Sequence, residues 1–87
     1  MMRMEMFTVY DVALGVFGRP MFLQSVGQAI RSFSDEVNRS SDDNQMNKHP
    51  VDFSLYHLGT FIDDDASFEV FDQPKRLAEA ADLIIKD

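Results

Sequence analysis

Both histidines of the chain and a run of three aspartates lie within one stretch, residues 48–65, KHPVDFSLYHLGTFIDDD. Imidazole and carboxylate groups bind metal ions and transfer protons, so this stretch is the first candidate for a chemical site. A zinc site needs three or four ligands that converge on one point. His49 precedes a predicted strand and His57 lies on its apolar face, too far from His49 along an extended chain to share a metal ion. The sequence therefore predicts no metal site here.

The aspartates at 63–65 fit neither a calcium loop nor a catalytic pair. An EF-hand loop starting at Asp63 requires glycine at its sixth position and glutamate at its twelfth, where Phe68 and Pro74 stand. Adjacent carboxylates in an exposed turn also lack the apolar walls that tune catalytic acids. We interpret them as a solvated turn and His57 as a structural histidine. Without a nucleophile motif or a phosphate-binding loop, we expect neither an enzyme nor a cofactor.

The composition indicates a small folded protein with an acidic surface. The chain has 87 residues, of which 45% are hydrophobic, and this predicts a single domain over residues 1–87. It contains no cysteine, and no apolar run approaches the length of a membrane span, which favours a soluble intracellular protein. The net charge of -7 disfavours non-specific DNA binding, because phosphate contacts need basic residues. A protein partner is therefore the first expectation.

Strand signals occur as two pairs along the chain. Pro20 cannot donate a ladder hydrogen bond, so the second strand is expected to be an edge strand or to bulge near Arg19 and Pro20. Alternation along the third strand would place Phe53, Leu55, His57, Gly59 and Phe61 on one face and the intervening residues on the other. The strands are predicted at residues 4–11, 17–23, 53–62 and 67–72.

Two helices complete the predicted fold. Ser25 and Gln28 have the spacing of a capping box, and apolar residues at helical intervals predict a helix at 26–38. Asp72 is the expected N-cap of a second helix at 74–86. The order ββαββα indicates an α+β protein, a four-stranded antiparallel sheet with both helices mainly on one face. The apolar stripe of the first helix consists of Val26, Ala29, Ile30, Phe33 and Val37.

The polar segment 39–50 lies between the two halves and is expected to be a mobile surface loop. Any contact with DNA needs a local cluster of basic side chains, because the net charge repels phosphates at long range. Arg31, Arg39 and Lys48 lie on the predicted helix or in this loop and are the best placed to form one. These three residues are therefore our candidate partner- or DNA-binding site.

Five segments of the chain form a recognisable series. They are TVYDVALG at 8–15, RPMF at 19–22, QAIRSFSDEVN at 28–38, KHPVDFSLYHLGTFIDDDASF at 48–68 and FDQPKRL at 71–77. The most specific motifs among them are AIRSF, KHP and Y-x-L-G-x-F followed by an acidic turn. In this order, and over nearly the whole chain, the segments resemble a known family, the nonstructural protein of small single-stranded-DNA phages in the gokushovirus branch of the microviruses.

The resemblance implies a non-enzymatic accessory protein of viral DNA synthesis and packaging in the cytoplasm of the bacterial host. Related proteins are thought to engage the replication complex and to help couple single-strand synthesis to procapsid filling. The first hypothesis is therefore an adaptor for the viral replication protein or the procapsid, without membrane contact. Two alternatives stay open: direct but weak binding of single-stranded DNA through aromatic side chains, and self-assembly into a homo-oligomer through apolar strands.

Overall fold

The computed structural model describes residues 3–85, which form one antiparallel sheet with helices packed on one side. The predicted α+β class and antiparallel sheet are confirmed. The strands are β1 (Arg3–Asp11), β2 (Val16–Phe17), β3 (Met21–Leu23), β4 (Phe53–Ile62) and β5 (Ser67–Glu79). The helices are α1 (Val26–Asn38), α2 (Gln45–Lys48) and α3 (Ala80–Leu83), with a 3-10 turn at Pro50–Asp52.

β1 and β4 are the central strands of the sheet. β4 pairs with β1 on one side and with β5 on the other, while β2 and β3 both pair with the outer side of β1. These two short strands occupy the place of the predicted second strand. The interruption covers Gly18, Arg19 and Pro20, as expected for a proline at a sheet edge. Counted as one interrupted strand, β2 and β3 complete the predicted four-stranded sheet.

Helix α1 begins where its capping sequence predicts. The Ser25 hydroxyl oxygen accepts a hydrogen bond from the backbone N–H of Gln28 at 3.1 Å, and Gln28 Oε1 accepts from the backbone N–H of Gln24 at 2.9 Å. The buried side chains of the predicted stripe pack against the sheet, and removing this apolar surface from water stabilises the fold. The central core consists of Phe7, Ala29, Phe33, Val37, Leu55 and Ala80.

The predicted helix at 74–86 is wrong over most of its length. β5 continues as a strand through Glu79, and α3 is a single turn after it. Asp72 lies inside the strand and caps no helix. Residue 86, the predicted last residue of the helix, lies outside the described residues.

Long-range pairing explains this difference. The second half of β5 pairs with the first half of β4, including Lys75 with His57 and Ala78 with Leu55. This pairing satisfies the backbone of a central strand and places Ala78 against the core. The apolar residues that suggested a helical stripe therefore pack as well in a strand, and tertiary contacts override the local preference.

A short helix lies within the predicted polar loop at 39–50. Asn44 is buried and caps α2, since its side-chain oxygen accepts from the backbone N–H of Met46 at 3.1 Å. Its side-chain nitrogen donates to the carbonyl oxygens of Glu36 and Arg39 at 2.7 and 2.8 Å. These bonds connect the segment to the end of α1, and the mobility of the segment stays a prediction.

One extra residue in β4 changes which side chains share a face. Phe7 of β1 pairs with His57, and the adjacent Met6 pairs with Gly59, so Leu58 has no partner position in β1. Such a β-bulge shifts the alternation of side chains in the strand that contains it.

The predicted single face of β4 is therefore wrong beyond His57. Phe61 lies on the opposite side of the sheet from Leu55 and His57, because it pairs with a residue of the other β1 face. Gly59 makes the shift sterically feasible at a φ of +150°, a value that side chains rarely permit. A Cβ at this position would lie 2.1 Å from the carbonyl oxygen of Glu69.

Candidate interaction surfaces

His57 is a largely enclosed residue held by side chains from its own and neighbouring strands. Its Nε2 lies 2.9 Å from Glu5 Oε1, and the exposed fractions of the two side chains are 12% and 20%. The imidazole stacks on Phe7 at 4.9 Å between ring centroids and meets Phe71 edge-on at 4.8 Å. Thr60 donates to the same Glu5 oxygen at 3.0 Å. These contacts support the interpretation of His57 as a structural histidine.

The aspartates at 63–65 lie in the turn between β4 and β5, as predicted. Hydrogen bonding from Ser67, first from its side chain and then from its backbone N–H, lowers the pKa of the Asp65 carboxyl. His49 is exposed and precedes the 3-10 turn that leads into β4. Across residues 3–85, no group of three or more His, Asp and Glu side chains is arranged to hold a metal ion.

The three predicted basic residues occupy different parts of the helical side. Arg31 is exposed in the middle of α1, and Lys48 is the exposed last residue of α2. Arg39 follows the end of α1, where its Nε and Nη2 donate to the two carboxylate oxygens of Glu36, both at 2.8 Å. Its Nη1 also lies 3.5 Å from Asp43 Oδ1. The central member of the predicted site is therefore held by two carboxylates.

The end of α1 is acidic despite Arg39. The hydrogen bond from Arg39 lowers the pKa of Glu36, and hydrogen bonding from Ser41 together with the charge of Arg39 lowers that of Asp43. Both carboxylates therefore stay ionised at neutral pH, so the acids of this segment outnumber its one basic residue. We call these acids, Asp35, Glu36, Asp42 and Asp43, the acidic patch.

The face of the sheet opposite the helices, here called the open face, carries two groups of aromatic rings. In the first group, the Phe17 ring lies 4.6 Å from Tyr10 and 5.4 Å from Tyr56 between centroids. The second group lines a wholly apolar groove of about 340 Å³. The rings of this group are Phe22, Phe61 and Phe68, and Met4 completes the lining of the groove. The strand positions of the open face are Met4, Met6, Thr8, Tyr10, Phe17, Phe22, Ser54, Tyr56, Gly59, Phe61, Phe68, Val70, Arg76 and Glu79.

Charge among these positions is limited to one ion pair. Arg76 Nη1 donates to Glu79 Oε1 at 2.9 Å, and Ser54 donates to the other carboxylate oxygen at 2.5 Å. The open face, as far as the described strands form it, is therefore apolar with balanced charge. The acidic patch, in contrast, lies at the end of a helix that packs on the other face.

The aromatic groove of the open face was not predicted, because strict alternation through Gly59 placed Phe61 on the same face as Leu55 and His57. A glycine inside a predicted strand is itself a signal of a bulge. The neutralisation of Arg39 also had a signal, because Glu36 and Asp43 lie three and four residues away along the chain, at the spacings of local ion pairs.

The chain matches the sequence family described as Phage ORF5 protein over residues 4–83. The matched region runs from β1 to the end of α3. This protein therefore belongs to the Phage ORF5 protein family, a family of bacteriophage proteins. No curated protein and no solved structure matches the chain. In the part of the chain that the structure describes, no helix has the length and apolar character needed to cross a membrane.

Proposed function

We propose that this phage protein is a non-enzymatic accessory of viral single-stranded-DNA synthesis and packaging in the cytoplasm of the bacterial host. It acts by binding the viral replication protein or the procapsid and needs no cofactor. Membership of a phage protein family supports the viral setting. The resemblance of the sequence segments to gokushovirus nonstructural proteins supports a role in DNA synthesis and packaging. The observation that carries the choice of a protein partner is the engagement of Arg39 by Glu36 and Asp43.

This engagement makes the end of α1 a poor surface for nucleic acid. A bidentate arginine–carboxylate pair is a strong, directional interaction, so Arg39 would have to leave Glu36 before it could bind a phosphate. The acidic patch repels phosphates but attracts a basic protein surface, such as one that handles DNA. Complementary charge of this kind steers association and speeds encounter.

Capture of purified partners tests the proposal. The immobilised protein is mixed with nuclease-treated viral replication protein or with procapsids, over a series of salt concentrations. We expect capture of one of them, weakened by salt because exposed charges are screened. Failure to capture either one after nuclease treatment would contradict the proposal.

Charge reversal then tests the acidic patch. The double variant Asp35→Lys, Asp42→Lys is expected to capture less partner, because both side chains are exposed. The double variant Asp64→Lys, Asp72→Lys makes the same change in net charge at exposed positions outside the patch. Equal loss in the two double variants would show that net charge, not the acidic patch, controls binding.

A second candidate function is direct binding of single-stranded DNA, which the exposed rings of the open face favour. Bases stack on aromatic side chains, and nearby basic residues follow the phosphates. Submicromolar affinity for an oligothymidine at about 150 mM salt would support this candidate, since non-specific binding is normally far weaker. The predicted basic site lies on the helical side, away from these rings. If DNA is bound there instead, replacing Arg31, Arg39 and Lys48 by alanine should reduce that binding with little change in melting temperature.

A further inference from the structure

The open face is a sheet surface without a covering layer. Domains normally bury the apolar face of a sheet against a second layer, and large exposed apolar patches are rare on monomeric proteins. Here the helices cover one face only, and Phe17, Phe22 and Phe68 on the other are 48%, 45% and 58% exposed. This surface therefore has the properties of an interface.

The edges of the sheet are poorly suited to pairing with another strand. In β5, residues 71–74 bulge out between Val70, which pairs with Gly59, and Lys75, which pairs with His57. Pro74 within this bulge also has no N–H to donate. The opposite edge consists of β2 and β3, which have two and three residues. Bulges, prolines and short strands all hinder edge-to-edge pairing, so a partner is expected to pack on the open face instead.

Charge selects the kind of partner. The net charge of -7 makes two copies of this chain repel each other through most surfaces. On the open face, the charged strand residues are Arg76 and Glu79, which bond to each other. Two copies that meet through this face therefore bring no unbalanced like charges together, whereas a basic partner gains no attraction from it.

The open face is also large enough. The molecule measures 45 by 24 by 20 Å along its principal axes. The outline of the molecule across its longest and shortest extents is roughly 900 Å², which exceeds the about 800 Å² per partner that a standard protein interface buries.

We propose that two copies of this chain pack open face to open face about a two-fold axis, forming a two-sheet sandwich with the helices outside. In such an isologous contact each copy contributes the same patch. Side chains of each copy fill the apolar groove of the other at Phe22, Phe61 and Phe68. The acidic patch stays exposed in this dimer, so the inference is independent of the proposed replication or packaging role.

Sedimentation of the full-length protein at increasing micromolar concentrations tests the dimer. We expect a species of twice the chain mass. Phe68→Asp should weaken dimerisation at least about tenfold, because it places a charge in the apolar contact. Val51→Asp is the matched control, since it makes the same charge change at an exposed apolar residue in the 3-10 turn.

Several results would overturn the proposal. These are a wild-type protein that stays monomeric, equal weakening by the Val51 control, and a dimer that persists unchanged in folded Phe68→Asp. Circular dichroism shows whether the variant folds, and Phe68→Ser replaces it if it does not. In the unmodified protein, concentration-dependent NMR shifts should appear at Tyr56 and Phe61. Shifts confined to α1 would place the contact elsewhere.

Discussion

The two faces of the sheet carry similar side chains but differ in the burial of their phenylalanine rings. Phe7 and Phe68 are both phenylalanines in strands, yet Phe7 is 0% exposed and Phe68 is 58% exposed. The difference arises because α1 and α3 pack on the Phe7 side. Apolar patterning therefore reveals which residues suit an interior, whereas the path of the helices decides which face becomes interior within a single chain.

The largest effect is expected on the face of the sheet against which the helices pack. Phe33→Ala should lower the free energy of unfolding by about 3–5 kcal/mol, because it leaves a cavity between α1 and the sheet. Phe68→Ala, measured by urea unfolding at low protein concentration, should change it by no more than about 0.5 kcal/mol. Equal losses in the two variants would remove the distinction between the faces.

The bulge at Leu58 determines which β4 side chains lie on each face of the sheet, and substitution of the adjacent Gly59 tests it. Gly59→Ala should cost about 3 kcal/mol, because the added methyl group meets the backbone of β5 and the backbone conformation is strained. Gly27→Ala is the control within α1, where a Cβ has no contact closer than 4.0 Å. This control should raise stability by up to about 1 kcal/mol, as alanine favours helix. Thermal melts of both variants measure the difference.

A smaller effect is expected at Asn38, the last residue of α1, which hydrogen-bonds the backbone at Leu83 and Ile85. The Asn38 side chain donates to the carbonyl oxygen of Leu83 at 3.0 Å and accepts from the N–H of Ile85 at 2.7 Å. Asn38→Ala should cost about 1–3 kcal/mol, since the partly buried carbonyl oxygen of Leu83 loses its donor. Asn38→Asp keeps the acceptor for the Ile85 N–H but loses the donor to Leu83, so it separates the two hydrogen bonds. Hydrogen exchange of the Ile85 amide should increase more in the alanine variant than in the aspartate variant.

The smallest effect is expected at the exposed ion pair between Glu36 and Arg39 at the end of α1. Since hydrogen bonding from Arg39 lowers the pKa of Glu36, the ionised carboxylate stabilises the fold above its ordinary pKa of 4.5. That contribution disappears as the pH falls through the lowered folded value. Glu36→Gln should therefore melt slightly below the parent protein at neutral pH and equally in strong acid. A difference that persists unchanged in acid would assign the effect to packing.

Local signals in the sequence predicted the parts of the fold that depend on neighbouring residues. Ser25 and Gln28 located the start of α1, and the aspartates at 63–65 located a turn. The end of β5 could not be predicted in this way, because its strand conformation depends on pairing with β4 rather than on its own residues. The position of Leu58 in a bulge likewise depends on the register with β1.

The candidate site shows the same limit. Arg31, Arg39 and Lys48 were predicted from their charge and their places in the helix and the following loop. The carboxylates that hold Arg39 lie within four residues of it in the sequence. The open face needed the register of three strands before Phe22, Phe61 and Phe68 could be placed together. A surface assembled from distant segments therefore leaves little trace in local sequence patterns.

The central pairing of β1 with β4 also has a consequence for the order of folding. Glu5 and His57, which meet across this pairing, are 52 residues apart in sequence. Closing so long a loop is slow compared with forming the β4–β5 hairpin, whose strands are joined by a short turn. During synthesis β1 emerges well before β4 and meanwhile has only β2 and β3 as partners. Docking of the finished hairpin onto the waiting edge of β1 is therefore expected to be the late, rate-limiting event.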